Sequence, residues 1–417
     1  MRIGYACLAI SVPGSEMKSC TLKNAVPERL LSLIAHNLNS LETLVDYNIR
    51  NKIRLFRISS DLIPFGSSLA AGLLWKKIYS EKLSAIGQKI LRSGMRVSMH
   101  PGQYTVLNSP NTLVVERSVE DLHYHATVLD SMGLGCEHKI ILHLGGVYGD
   151  KRQSISRFIS CYNDLNSNIK KRLVLENDDR MYNIEDILGV ASAIGIPVVF
   201  DNLHNSVYPA NKAIGVEDWI KACSESWKKD DGQQKVHYSQ QNPGKKPGAH
   251  SESIRIDPFF EFCRQLSGLN IDIMLEVKDK NLSALKCINC VNEMGIVALE
   301  TEWAHYKYCV LERSPEGYTE IRQLLRNKSS YPALKMYRII EASFDLPVSS
   351  GNGLNAAQHV WGYFKDKASG VEKQHFQTLL QKFSAGETGI QPVKNYLLRL
   401  AEKHQEDYLL NGYYFYK

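Results

Sequence analysis

Short apolar runs recur along the first two-thirds of the chain and alternate with longer stretches of helical periodicity. Several of these runs are rich in β-branched residues and continuous, which is typical of strands buried on both faces of a parallel sheet. A strand followed by a helix, repeated eight times, predicts an α/β protein built on a TIM (β/α)8 barrel. The predicted strands cover residues 3–8, 53–58, 95–99, 139–144, 173–175, 197–200, 235–238 and 271–277.

The last quarter of the chain lacks the strand pattern. It predicts helices over residues 329–345, 355–367, 372–383 and 393–403, with breaks at Gly351-Asn352-Gly353 and at 386–389. We therefore expect a barrel domain over residues 1–302 and a smaller, mainly α-helical domain over 303–417. A basic, aromatic helical addition could contact DNA or a partner protein, and the sequence leaves both roles open.

Composition narrows the class of protein. With 44% hydrophobic and 23% charged residues, the 417-residue chain is neither disordered nor of low complexity. Its net charge of +6 permits a polyanionic partner without requiring one. The nine cysteines are too scattered for a disulfide scaffold, and no apolar run reaches the ~20 residues of a membrane helix. We expect a cytoplasmic protein with no membrane partner.

The barrel hypothesis also predicts where the active site lies. Catalytic residues of such barrels sit at the C-terminal ends of the strands. Histidines, aspartates and glutamates follow six consecutive predicted strands here, whereas a single such residue could be a helix cap or a structural histidine. The candidates are His100, His143, Glu176, Asp201, His204, His237, His250 and Glu276.

Five imidazoles and three carboxylates are too many ligands for one ion. We expect two or three divalent ions with carboxylates bridging between them. Mixed ligation without cysteine favours manganese, zinc or iron over calcium. Such clusters suit in-line phosphoryl chemistry, because one ion lowers the pKa of a bound water and another stabilises the leaving oxygen.

Three lysines accompany this set. Lys235 precedes His237 by two residues and so shares the barrel-facing side of its strand. A lysine there would repel metal ions unless it is modified or binds phosphate. Lys278 and Lys280 flank Glu276 and could meet a phosphate backbone, although a solvated helix start explains them equally well.

Two tyrosines and a glutamine complete the candidates. Gln103 and Tyr104 follow the third strand on the rim loop, where they could contact or displace bases. Tyr5, on the first strand, could stack at the mouth of the barrel. Ordinary packing is the alternative for each of the three.

In this order, the residues resemble the UV damage endonuclease family. The resemblance covers roughly residues 1–300 and implies a TIM barrel similar to endonuclease IV. It also implies DNA incision immediately 5′ to a cyclobutane pyrimidine dimer or a 6-4 photoproduct, leaving a 3′-hydroxyl and a 5′-phosphate, with abasic sites as a further substrate. The motifs are Gly4-Tyr5, 57–64, His100-Pro101-Gly102-Gln103-Tyr104, His143, 175–179, Asp201-Asn202-Leu203-His204, Lys235-Val236-His237, His250 and 274–280.

The resemblance also implies that the substrate is double-stranded DNA that carries a UV lesion, and it assigns roles to residues of this chain. It implies manganese as the preferred ion, with zinc as the alternative, and all eight candidates as ligands. Gln103 and Tyr104 match the pair that probes the strand opposite the lesion, and Lys235 matches a lysine that is carboxylated in part of the family. We expect the catalytic centre to contain Glu176, Lys235, His237 and Glu276, and the DNA contacts to include Tyr5, Lys278 and Lys280.

The chain departs from the family in two places. The family often has a histidine after the proline-containing segment that ends strand two, but residues 64–68 contain none. If that histidine is a metal ligand in the family, one ion in this chain lacks it or takes water instead. An asparagine often found shortly after the first-strand tyrosine is also absent, since Leu8, Ala9 and Ile10 occupy that stretch.

Residues 358–364 and 408–415 resemble a small helical YbgA-like domain of unknown function. The barrel residues leave three other functions open: an endonuclease IV-like enzyme centred on abasic sites, a metal-dependent sugar isomerase or epimerase, and a DNA-damage binder without catalysis. A sugar enzyme usually holds one or two ions in a closed pocket, and a binder would have lost ligands. The eight candidate ligands favour the repair endonuclease.

Overall fold

The computed structural model describes residues 1–417 and confirms the predicted barrel. Eight parallel strands pair in chain order, and the first closes on the eighth. The strands are Ile3–Ala6 (β1), Leu55–Arg57 (β2), Arg96–Met99 (β3), Lys139–His143 (β4), Leu173–Glu176 (β5), Val198–Asp201 (β6), Lys235–Tyr238 (β7) and Asp272–Leu275 (β8).

Period-two alternation divides each strand between the barrel interior and the helix layer. The interior contains a buried cluster of Ile141, Val174 and Val199. The next inward positions toward the C-terminal ends of β5 and β6 are Glu176 and Asp201. The apolar interior therefore ends where the polar candidates begin, at the mouth of the barrel.

Helices surround the barrel and start at recognisable signals. Pro27 occupies the first turn of a long helix, and Asn183 forms a capping box with Asp186. The α-helices up to residue 291 are Pro27–Arg50, Trp75–Ile78, Ser80–Arg92, Thr112–Ser131, Lys151–Asp164, Ser167–Lys170, Ile184–Ile194, Asn202–Val207, Val216–Ser224, Ile256–Gln265 and Asn281–Val291.

The chain forms two compact units. The first consists of residues 1–9, 14–254 and 261–285, and the second of 10–13, 255–260 and 286–417. No helix is long and apolar enough to cross a membrane. The remaining helices, all in the second unit, are Ile296–Leu311, Pro315–Leu324, Ala333–Phe344, Ser350–Trp361, Gly370–Ser384, Gln391–His404 and Asp407–Leu410.

The predicted break at Gly351-Asn352-Gly353 is wrong. These residues form the first turn of the helix Ser350–Trp361, which the side chain of Ser349 caps. Gly353 is buried, and a Cβ there would lie 2.8 Å from the Phe383 ring. The glycine therefore allows close packing of the helix rather than ending it.

A buried ion pair offers a test of stability in the second unit. The Lys394 ammonium lies 2.8 Å from Oε1 of Glu312, and both side chains are almost fully buried. Replacing Lys394 with methionine removes a charged hydrogen bond, so we expect the free energy of unfolding to fall by about 1.5–3 kcal/mol in urea titrations. Lys403→Met, which removes an exposed partner of Glu372, should leave the transition unchanged. Equal losses in the two variants would contradict this.

Candidate metal centre

All eight predicted ligands lie at the mouth of the barrel. Backbone register places two pairs side by side, since His143 pairs with Glu176 across β4 and β5, and Asp201 with His237 across β6 and β7. The others come from just beyond strand ends or from the loop after β7: His100, His204, His250 and Glu276.

Glu176 is the hub of this cluster. Its Oε2 lies 3.1 Å from Nε2 of His100 and 3.6 Å from Nε2 of His143. Its Oε1 lies 2.6 Å from Nδ1 of His237 and 3.9 Å from Nδ1 of His204. One buried carboxylate thus faces a different pair of imidazoles with each oxygen.

Glu276 and Arg57 form the opposite side of the cluster. The Arg57 guanidinium pairs with Glu276, and its Nη2 lies 3.1 Å from Nε2 of His237. Oε1 of Glu276 is 3.3 Å from Nδ1 of His237, and Oε2 is 3.7 Å from Nε2 of His250. Glu276 therefore connects His250 to the rest of the site.

Burial and charge set the protonation states of the site. Burial alone would raise the pKa of Glu176, but the imidazoles of His237 and His143 outweigh it and hold the pKa well below its ordinary value. Burial raises the pKa of Asp201 to about 7 and lowers that of His237 to about 4. His237 is therefore neutral at pH 7, the form that binds a metal ion.

The residues fit a metal centre. Three groups of ligand atoms each lie within 4.8 Å of one another, and all three include Glu176. Oδ2 of Asp201 and Nδ1 of His143 are buried without a hydrogen-bond partner. Leaving them so costs free energy unless a bound group, such as a metal ion, interacts with them. The groups are His100, His143 and Glu176; Glu176, Asp201 and His204; and Glu176, His237 and Glu276.

Comparison with known proteins identifies the family. Residues 1–303 match the family model described as UV-endonuclease UvdE. The chain belongs to the UvdE family. It is 37% identical to a UV DNA damage endonuclease of Clostridium perfringens, over 97% of this chain and 96% of that protein. It is 34% identical to a putative UV-damage endonuclease of Acanthamoeba polyphaga mimivirus, over 69% of this chain and 90% of that protein.

A solved structure supports the same conclusion. The crystal structure of SacUVDE aligns with a TM-score of 0.67 at 40% identity, covering 70% of this chain and 99% of that one. Residues 307–417 match a second family model, the protein family of unknown function DUF1722. Both resemblances seen in the sequence are thereby confirmed, the UvdE-type barrel and the YbgA-like C-terminal part.

Lys235 lies one inward position below His237 in this UvdE-family barrel. It is fully buried, and its Nζ has no hydrogen-bond partner. Burial, reinforced by the positive charge of Arg96, holds the pKa of Lys235 well below its ordinary value. Both effects favour the neutral amine over the ammonium form.

The rim of the mouth carries the predicted DNA contacts. Gln103 is exposed, and the aromatic side chain of Tyr104 is 71% exposed. Their loop is fixed to the following helix, because Thr105 Oγ1 donates to Asp121 Oδ2 at 2.7 Å. Lys278 is exposed, and Lys280 is half-buried.

The prediction that Tyr5 stacks at the mouth is wrong for this structure. Tyr5 is fully buried, and its hydroxyl donates to Oδ1 of Asn48, 2.9 Å away on the helix Pro27–Arg50. The side chain faces the helix layer and packs on Phe56.

Ser68 lies near the position of the absent UvdE-family histidine and is exposed. It lines a cavity whose walls include none of the eight candidate ligands.

Sequence reasoning missed Arg57. It ends β2 at the same inward position as the candidates on other strands, so period-two alternation could have found it. A guanidinium is not itself a metal ligand, so the ligand pattern alone does not point to it. Its contacts with Glu276 and His237 place it inside the site.

Proposed function

We propose that this chain is a metal-dependent DNA repair endonuclease that incises the backbone immediately 5′ to UV photoproducts, leaving a 3′-hydroxyl and a 5′-phosphate. The observation that carries the proposal is Glu176, whose two oxygens face separate pairs of imidazoles at the mouth of the barrel. A carboxylate with ligands on both sides is what a multi-ion phosphodiesterase needs. We infer the type of lesion from the relatives that are named UV DNA damage endonuclease.

The eight candidate ligands would hold two or three divalent ions, most favourably manganese, with zinc as the alternative. Bound there, the ions would neutralise phosphate charge and lower the pKa of water at the scissile phosphate. Glu176, Lys235, His237 and Glu276 form the catalytic centre in this proposal. Arg57 balances the charge of Glu276 and orients that carboxylate toward His237.

Lesion recognition is assigned to the rim. A photoproduct weakens stacking and pairing, so the damaged dinucleotide leaves the duplex at a lower cost than a normal one. Tyr104 and Gln103 would occupy the space opposite the lesion, where the exposed ring can stack on bases. Lys278 and Lys280 would contact the phosphate backbone beside Glu276.

We further propose that Lys235 is carboxylated. The Nζ of Lys235 is buried without a hydrogen-bond partner, in surroundings that favour its neutral form, and a neutral amine reacts with carbon dioxide by forming an N–C bond and releasing one proton. The product is an anion that offers oxygen ligands where an ammonium would repel the ions. Mass spectrometry of the intact chain under mild conditions should show the added mass, and Lys235→Ala should lack it.

The C-terminal helical domain would add a DNA or protein contact, and the expected site of action is the cytoplasm.

A duplex with one thymine dimer tests the incision itself. We predict one cut 5′ to the dimer, with a 5′ end that needs no kinase for ligation and a 3′ end that a polymerase extends. Cleavage confined to an abasic duplex would instead support an endonuclease IV-like enzyme, and no cleavage with ions bound would point to a sugar substrate.

A further inference from the structure

Asn177 makes an unusual set of contacts directly beside the hub of the metal centre. It follows Glu176 at the end of β5 and is fully buried. Its Nδ2 donates to the carbonyl oxygen of Asp201 at 3.1 Å, and the Asp201 amide donates back to its Oδ1 at 2.8 Å. The side-chain amide therefore pairs with the backbone of a candidate ligand in both directions.

This reciprocal pair stands where the sheet has ended. The last backbone pair between β5 and β6 joins Glu176 to Val199, two residues before Asp201. Beyond that point no β5 strand is left to hold the end of β6. The amide of Asn177 supplies the same donor and acceptor as a peptide group and so extends the ladder by one step.

Asn177 also contacts a third candidate ligand through its backbone. Nδ1 of His204 lies 2.9 Å from the Asn177 carbonyl oxygen. A carbonyl can only accept, so Nδ1 carries the proton and Nε2 is left for a metal ion. One residue thus fixes the backbone of Asp201 and the ring of His204, and it is bonded to Glu176.

We propose that Asn177 is the positioning residue of the group formed by Glu176, Asp201 and His204. The inference rests on the metal centre of the proposed function. Partners that orient ligands in this way typically change metal affinity by about 10–100-fold when they are removed.

The chain contains a matched control one strand further on. Nδ2 of Asn202 donates to the Ser239 carbonyl oxygen at 3.0 Å, and the Ser239 amide donates to Asn202 Oδ1 at 2.7 Å. The bonding pattern is the same, but Ser239 is not a candidate ligand. Removing this amide costs the fold the same two hydrogen bonds while the Asp201 backbone keeps its own.

The test is manganese affinity measured on the full chain by competition with a fluorescent chelator, which needs no DNA and no turnover. For Asn177→Ala we expect affinity for at least one ion to fall by about 10–100-fold. For Asn202→Ala we expect it to be unchanged. If Asn177→Ala does not fold, Asn177→Ser serves in the same comparison with the same expected loss.

The possible outcomes distinguish a failure of the positioning role of Asn177 from a failure of the proposed metal centre. Unaltered affinity in Asn177→Ala, or an equal loss in Asn202→Ala, would overturn the positioning role while leaving the metal centre intact. Absence of manganese binding by the unaltered chain would overturn both. A loss confined to the Asn177 variants would support the role.

Discussion

Cleavage of a dimer-containing duplex is expected to fall by about 10³-fold or more when Glu176 is replaced by glutamine. The replacement keeps the volume of the side chain and removes the charge that both halves of the cluster share. Because both oxygens of Glu176 face imidazoles, no neighbouring carboxylate can take over both sides. Single-turnover rates at saturating manganese would measure the loss.

Binding and fold provide the controls for this variant. DNA affinity should be partly retained, since the rim residues Gln103 and Tyr104 are untouched. Glu185→Gln removes an exposed carboxylate from the helix Ile184–Ile194 and should leave the rate unchanged. Full activity in Glu176→Gln would contradict the catalytic role proposed for Glu176.

Loss of lesion discrimination is expected when Gln103 and Tyr104 are both replaced by alanine. Stacking of one base on an aromatic ring is worth about 1–3 kcal/mol, so the preference for damaged over undamaged duplex should fall about tenfold or more. The single-turnover rate on bound, damaged DNA should change much less, because neither residue belongs to the metal-ligand groups. Competition binding with the two duplexes measures the first quantity.

Leu91→Ala provides the comparison, since it removes a partly exposed apolar side chain from the last turn of the helix Ser80–Arg92, just before β3 begins and opposite the mouth. Its discrimination should equal that of the unaltered chain. If the double variant discriminates as well as the unaltered chain, the probing role assigned to the rim loop is incorrect.

The barrel could be predicted from sequence because its strands are short, apolar and separated by helical periodicity. The same pattern explains the position of the ligands, since each strand end projects to one mouth. Tyr5 could not be placed in this way. Both faces of β1 are apolar, with Ile3 and Tyr5 on one side and Gly4 and Ala6 on the other, so the pattern does not show which side faces inward.

Contacts between residues that are far apart in the chain are the other feature that the sequence could not predict. Arg57 reaches Glu276 only because β2 and β8 close around the same mouth, and Asn177 reaches Asp201 across the ends of neighbouring strands. Neither partnership has a local sequence signal. In the C-terminal domain, Gly353 looks like a helix break because its packing partner, Phe383, lies thirty residues away.

A nicking assay tests most directly whether this barrel cuts damaged DNA with metal ions. A labelled duplex with one thymine dimer would be incubated with the full chain and manganese, with EDTA, and beside an undamaged duplex. We predict a single cut immediately 5′ to the dimer that requires manganese and is absent from the undamaged duplex. Cleavage that persists in EDTA, or no cleavage of the dimer duplex with manganese bound, would contradict it.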